Sequence, residues 1–308
     1  MVVAQKIPVA VIGVGYLGQW HARKLAAMDN VRLVAVVDTE TCRCDGLASE
    51  LGCEAIEDYR EIAKAVRAAV VAVPTKGHFE VAEYLLRSGV DLLVEKPITA
   101  ELKEARSLDE IAEKEKRVLA VGLVERFNPG VVSALKVLKE PQWIETKRLS
   151  SFKERTRNVD VVRDLMIHDL DLARVIAGSE GDVISATGVS SLTGVPDAVR
   201  AHVRFKNGVE AFLEASRMHD VEARSIEVYD KAGKLRIDTR DRAAVRYRPG
   251  PRGMEPENLA TVDADPLEEE LRDFLRAVKE RSKPRVTGRD GIEALRLAID
   301  VLKMLGFS

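Results

Sequence analysis

The stretch Val9-Ala10-Val11-Ile12-Gly13-Val14-Gly15-Tyr16-Leu17-Gly18 decides the fold. A short β-branched run stops at Gly13, and an amphipathic segment over 17–28 starts inside the glycine cluster. This is the strand-to-helix setting in which G-x-G-x-x-G reads as a dinucleotide fingerprint. Gly13 permits the tight turn, Gly15 lets backbone approach a pyrophosphate, and Gly18 lets helix and strand pack closely; Tyr16 and Leu17 fill the variable positions. The helix N-terminus offers unpaired N–H groups to the anion. Asp38 follows the second β-branched run, 20 residues after Gly18, where a carboxylate accepts hydrogen bonds from ribose hydroxyls. That carboxylate would repel a 2′-phosphate, so NAD is favoured; Arg43, close by in sequence, keeps NADP as the alternative.

Outward from this unit the pattern repeats. Strands are expected near 9–12, 31–37, 69–73, 92–94 and 119–122, with helices over 17–28, 78–87 and 102–116. Around Glu54–Asp58 the turn chemistry hides a short strand and a short helix. The alternation predicts an α/β Rossmann domain, a doubly wound parallel sheet over 1–124. After Glu125 the pattern changes to an α+β domain over 125–308. It opens with a helix at 129–138, a strand near 143–152 and a helix at 162–176. Asn207-Gly208 between two alternating segments marks a β-hairpin with a polar and an apolar face. Residues 248–266, rich in Pro, Gly and Asp, read as a loop, and helices over 267–281 and 291–305 close the chain.

A chain of 308 residues with 46% hydrophobic and 32% charged residues suits two globular domains. The formal net charge of −2 gives no electrostatic footprint for nucleic acid or a membrane surface, and neither is expected as a partner. The apolar run Val9–Val14 is too short to span a bilayer and no signal-peptide pattern precedes it, so a cytoplasmic protein is expected. Cys42, Cys44 and Cys53 read as free thiols. No Cys or His pair stands near them at zinc-ligand spacing, and no metal is expected.

Three further segments point one way: Val73-Pro74-Thr75 with His78, Glu95-Lys96-Pro97, and Asp164-Leu-Met-Ile-His168. With the fingerprint and Arg126-Phe127-Asn128-Pro129, they make the chain resemble the glucose-fructose oxidoreductase and myo-inositol dehydrogenase (Gfo/Idh/MocA) family over nearly its whole length. The resemblance implies an open, mainly antiparallel sheet in the second domain, a nicotinamide dinucleotide cofactor, and a homo-oligomer assembled through that sheet. It makes Lys96 a catalytic lysine near the nicotinamide and substrate hydroxyl, completed by Asp164 and His168. Pro74, Thr75 and His78 match the lining of the nicotinamide end, and Glu95 helps place the ribose and Lys96. The run from Asp164 to Leu172 is most similar to the branch that oxidises UDP-N-acetylglucosamine at C3.

Oxidising a secondary alcohol needs a hydride acceptor, a base, and a grip on the reacting carbon. His168 titrates in the useful range. A partly desolvated Lys96 beside a cationic nicotinamide would have its proton affinity lowered. We assign His168 as proton acceptor and Lys96 as alkoxide stabiliser, the exchanged roles being the alternative, with Asp164 orienting the imidazole or a substrate hydroxyl. Asp171 reads as a structural partner, Asp169 as facing elsewhere, and Trp20 and His21 as packing residues. Arg126 is a candidate substrate contact, and Arg155, Arg157 and Arg163, with Lys153, are candidate contacts to a substrate diphosphate; a solvated basic edge explains these last four equally well. Three rival readings stay open: an NAD-binding sensor without turnover, a dehydrogenase of a free sugar or cyclitol, and NAD-dependent glycoside cleavage.

Overall fold

Strand β1 (Ile7–Ile12) lies inside a six-stranded parallel sheet. Its neighbours are β2 (Val31–Val37), β3 (Glu54–Ile56), β4 (Ala68–Val71), β5 (Asp91–Glu95) and β6 (Leu119–Gly122). The computed structural model describes residues 6–307. The strand order β3-β2-β1-β4-β5-β6 reverses direction between β1 and β4, which opens a crevice at the carboxyl ends of those strands. The residues expected to hold the cofactor, from Gly13 to Lys96, lie at or after the carboxyl ends of β1, β2, β4 and β5. Helices α1 (Gly18–Ala26), α2 (Thr41–Leu51), α3 (His78–Arg87) and α4 (Leu102–Lys114) connect the strands.

The sequence reading passed over α2. Its buried residues are Cys44, Leu47 and Ala48, a thin apolar stripe for a helix, and it stops at Gly52 in the left-handed conformation (φ 67°). The helix expected beyond β3 is instead a series of turns over 59–65.

Two compact units divide the chain, the first ending at Leu123 but also taking Leu267–Ile292. The expectation gave all of 125–308 to the second domain. The difference lies in α7 (Pro266–Glu280), whose Leu271, Phe274, Leu275 and Val278 join the same core as Val9, Val11 and Leu93. Composition does not reveal which sheet an amphipathic helix will cover.

The second unit, Val124–Pro266 with the chain from Glu293, holds an eight-stranded sheet of order β14-β13-β12-β11-β7-β10-β9-β8. Its strands are β7 (Pro141–Leu149), β8 (Gly181–Val189), β9 (Ala198–Phe205), β10 (Glu210–Ser216), β11 (Ala223–Asp230), β12 (Gly233–Asp238), β13 (Ala243–Gly250) and β14 (Gly253–Asn258). All neighbours are antiparallel except β7 and β10. The β9–β10 hairpin turns at Asn207-Gly208 as expected, with Gly208 at φ 88°. One face is covered by α5 (Pro129–Val137), α6 (Ile167–Ala177) and the end of α8 (Gly288–Met304) through Ile144, Ala201, Val203, Leu213 and Val228. Strand β14 replaces part of the expected loop. All six of its residues are exposed, so only backbone pairing with β13 defines it and no alternation betrays it. No helix among the described residues is long and apolar enough to cross a membrane.

Candidate active site

In the first unit the glycine turn is set by steric need. Gly13 has φ 84°, and a Cβ there would lie 2.5 Å from the Val73 nitrogen; one on Gly18 would lie 1.7 Å from the Gly13 carbonyl oxygen. Gly15 differs: a Cβ there would meet nothing within 4 Å. The space beside its Cα is open, as close approach of a pyrophosphate requires. Tyr16, Leu17 and Trp20 stand exposed around it. Trp20 was expected to pack; instead it lies in solvent, with the Arg23 guanidinium 5.8 Å from its ring.

Asp38 follows β2 directly, and its carboxylate is bound into the same turn. Oδ2 accepts the Val14 N–H at 2.9 Å and Oδ1 the Glu40 N–H at 3.0 Å. Each oxygen keeps acceptor capacity for a ribose hydroxyl. Arg43 is exposed and pairs with Glu40 at 3.0 Å. The turn thus fits a dinucleotide: open backbone at Gly15, a helix N-terminus beyond it and a pre-aimed carboxylate beside it.

Pro74 and Thr75 form the turn after β4, with Pro74 exposed and Thr75 half-buried. His78 is buried. Its Nδ1 lies 2.9 Å from the Pro97 carbonyl oxygen and its Nε2 2.8 Å from that of Val73. Burial holds its pKa below the ordinary imidazole range, against the pull of those carbonyls. A carbonyl oxygen faces each ring nitrogen, and the neutral imidazole donates its single N–H to one of them, so His78 is wedged as a brace between the two strand-end turns. Lys96 is half-buried, its backbone N–H donating to Glu95 Oε2 at 3.1 Å, and the Lys96–Pro97 peptide is cis.

Behind Lys96 lies a cluster that sequence reasoning missed. Glu95 Oε1 is 2.7 Å from His21 Nε2, and Glu270 of α7 has a buried carboxyl nearby. Burial works against ionising Glu95, but the His21 hydrogen bond and the charges around it hold its pKa below the ordinary value. A sign was present in the sequence. Glu270 falls on the apolar stripe of its helix, one residue before Leu271 and four before Phe274. A cavity of about 480 Å³ lined by Arg117, Leu119, Arg281 and Arg289 opens where β6 begins, at the opposite ends of the strands from Asp38 and Lys96.

In the second unit, Asp164 and His168 share one helical segment and both are half-buried. The backbone at Val162–Met166 is a single π turn leading into α6. Such wide turns are rare and concentrate at functional sites, and no residue pattern announces them. What fixes the segment is a buried ionic frame. Arg148 of β7 makes a two-pronged pair with Asp169 (3.0 and 2.8 Å) and reaches Glu125 at 2.8 Å. Burial would lower the Arg148 pKa, yet the two carboxylates raise it. Arg126 grips Asp171 through two hydrogen bonds of 2.7 and 2.5 Å. The frame therefore consumes Arg126, expected as a substrate contact, and gives Asp171 the structural role anticipated for it. Asp169, on its other face, is equally tied.

The expected phosphate contacts are exposed or already paired. Arg155 is exposed, Arg157 pairs with Glu154 at 2.5 Å, Arg163 with Asp160 at 3.2 Å and Lys153 with Glu222 at 3.5 Å. The loop carrying them is anchored by buried Arg217, which donates to the carbonyls of Thr156 and Val159 and pairs with Asp197 at 2.8 Å. Cys42, Cys44 and Cys53 are free thiols, and burial pushes Cys44 up to about 11.

A glycine turn with its acidic partner at the switch point of a parallel sheet, in one chain with an open-sheet unit, defines a nicotinamide-dinucleotide oxidoreductase. Residues 7–123 match the oxidoreductase family with an NAD-binding Rossmann fold, and residues 138–236 the GFO/IDH/MocA C-terminal domain. The chain belongs to the Gfo/Idh/MocA oxidoreductase family. It is 34% identical to UDP-N-acetylglucosamine 3-dehydrogenase of Acidithiobacillus ferrooxidans over 94% of this chain and 95% of that one. It is 26% identical to inositol 2-dehydrogenase of Rhizobium meliloti over 93% of each. A solved structure of the Acidithiobacillus enzyme superposes with a TM-score of 0.92, covering 97% of both chains. Scyllo-inositol dehydrogenase of Lactobacillus casei, solved with NAD(H) and scyllo-inositol, shares the fold at 19% identity, TM-score 0.83 and 97% of both chains.

Proposed function

We propose that this chain is a cytoplasmic NAD-dependent dehydrogenase that oxidises the C3 hydroxyl of UDP-N-acetylglucosamine. The observation that carries the reading is the similarity, over 94% of the chain, to an enzyme named for that reaction. NAD, when bound, supplies the acceptor for the hydride. Gly13, Gly15 and Gly18 with the start of α1 hold its pyrophosphate, and Asp38 holds its adenosine ribose in preference to a 2′-phosphate. Pro74 and Thr75 line the nicotinamide end, shaped from behind by His78. Lys96 donates to the alcohol oxygen as negative charge develops there, His168 takes the hydroxyl proton, and Asp164 orients the imidazole. Arg155, exposed on the loop anchored by Arg217, is the cation we assign to the substrate diphosphate; Arg157 and Arg163 can join it by exchanging their carboxylate partners.

A cyclitol is the second candidate substrate, on the similarity to inositol 2-dehydrogenase. The test is NADH absorbance on incubating the protein with NAD and a panel of UDP-sugars, free sugars and inositols. Reduction with UDP-N-acetylglucosamine alone is expected. Reduction with an inositol alone transfers the substrate assignment to the cyclitols, and silence with every compound leaves an NAD-binding sensor.

We also assign the uncovered face of the eight-stranded sheet to a second copy of this chain. Trp143, Phe212 and Tyr229 are exposed there, and Phe212 stacks on Trp143 at 4.7 Å and on His202 at 4.4 Å between ring centroids. Exposed aromatic groups in one patch are what an interface core buries.

A further inference from the structure

His21 of α1, Glu95 at the end of β5 and Glu270 of α7 are all buried, and one polar atom from each lies within 4.8 Å of the others. Their partners are unequal. Glu95 has His21 on Oε1 and the Lys96 backbone N–H on Oε2, whereas among the described residues neither oxygen of Glu270 accepts a hydrogen bond. A buried carboxylate without a donor loses its hydration and gains nothing in return. Burial, then the Glu95 charge, then Asp273 drive the Glu270 pKa well above the ordinary value. Two carboxyls this close and dry share a proton rather than both ionise. The other side of Glu95 is closed, because a Cβ on Gly122 would stand 2.9 Å from Glu95 Oε2, so the β6 backbone is seated against the carboxylate.

We propose that Glu270, as a neutral carboxylic acid, turns its O–H toward Glu95 and so acts as a positioning residue for Lys96. Glu95 is then steadied by both His21 and Glu270, while its Oε2 fixes the Lys96 backbone. The effect on turnover rests on the role given to Lys96 above; the proton and the backbone contact do not.

The pair is tested first without turnover. The infrared spectrum of the intact protein near neutral pH should contain the carbonyl stretch of a protonated carboxylic acid, lost in Glu270→Gln. Amide hydrogen exchange of the segment holding Lys96 should be faster in Glu270→Leu and return toward the native rate in Glu270→Gln, whose amide still donates. The linkage sign is fixed. With Glu95, Asp273 and His21 the titratable groups facing it, Glu270 has a folded pKa above its unfolded one. Its contribution is therefore fully present below the unfolded value and lost as pH rises through the folded one. The melting temperature of Glu270→Gln relative to wild type should accordingly climb with pH. With substrate, Glu270→Leu should lower kcat about tenfold with NAD affinity retained, and Glu270→Gln should recover most of it. Absence of the acid carbonyl band, unchanged Lys96 exchange in Glu270→Leu, or a divalent cation held one per chain and released by Glu270→Gln overturns the proposal. If no sugar is oxidised, the functional assignment fails while the infrared and exchange results still decide this one.

Discussion

Asp38 is held by the turn it serves, and that fact shapes what its removal should do. Asp38→Ala takes an acceptor from the Val14 N–H, a loss common to NAD and NADP, and in the proposed role it also removes the ribose contacts that favour NAD. Hydrogen bonds to a charged group are worth about 1.5–3 kcal/mol, so the ratio of NAD to NADP dissociation constants should rise by about tenfold or more. Fluorescence titration of both cofactors measures it, and equal loss for both would remove Asp38 as the selector. Lys96 makes the opposite prediction. Lys96→Ala should cut kcat by about 100-fold or more while NAD affinity stays within a few-fold, since the proposed pyrophosphate and adenosine contacts are the glycine turn and Asp38. Retained turnover would strip Lys96 of its role. The positions of the fingerprint glycines, Asp38 and Lys96 were legible because each sits where a strand ends and a turn begins, a place that sequence pattern marks well. Glu270 and His21 were not. Glu270 is marked locally only as a carboxylate on an apolar stripe; what it and His21 do depends on a contact between residues 21, 95 and 270 that no local pattern encodes.

At the scale of elements, legibility followed the strength of the periodic pattern. Strands β2 and β6 and helix α3 have the bounds their patterns predicted. Helix α2 buries only Cys44, Leu47 and Ala48 and β14 buries none, so neither presents a periodic pattern strong enough to predict it. The π turn before α6 escaped for a different reason: no residue pattern marks such a turn. The ionic frame that holds this segment gives the energetic test. Replacing Arg148 by methionine leaves Glu125 and Asp169 buried without their cation, and removing one partner of a buried pair costs about 3–5 kcal/mol. Urea unfolding should show a loss of that size for Arg148→Met, with His168-dependent turnover falling in the protein that remains folded. Arg157→Ala, in an exposed pair with Glu154, should leave the midpoint where it was. A small loss for Arg148→Met would mean that the carboxylates take up protons instead, and that the frame contributes little rigidity.

For the whole molecule the question is what covers the open sheet. Eight strands about 4.8 Å apart, each about 3.3 Å per residue long, present a face roughly 30 Å across in each direction. That is close to the area of about 800 Å² per partner that a stable association buries. The hairpin alternation gives this sheet a polar and an apolar face, and the outer one can meet water or a subunit. The aromatic stack of Trp143, Phe212 and His202 turns that choice toward a subunit, because flat exposed rings gain most when both sides are desolvated. Phe212→Glu should therefore be decisive: it puts a carboxylate into the middle of the patch without touching the buried face, where Ala211 and Leu213 point. In size-exclusion chromatography with light scattering the native chain should have a mass of at least two copies, and Phe212→Glu should shift to a single copy with its melting transition intact. A native protein that elutes at the mass of one chain would leave this face to solvent.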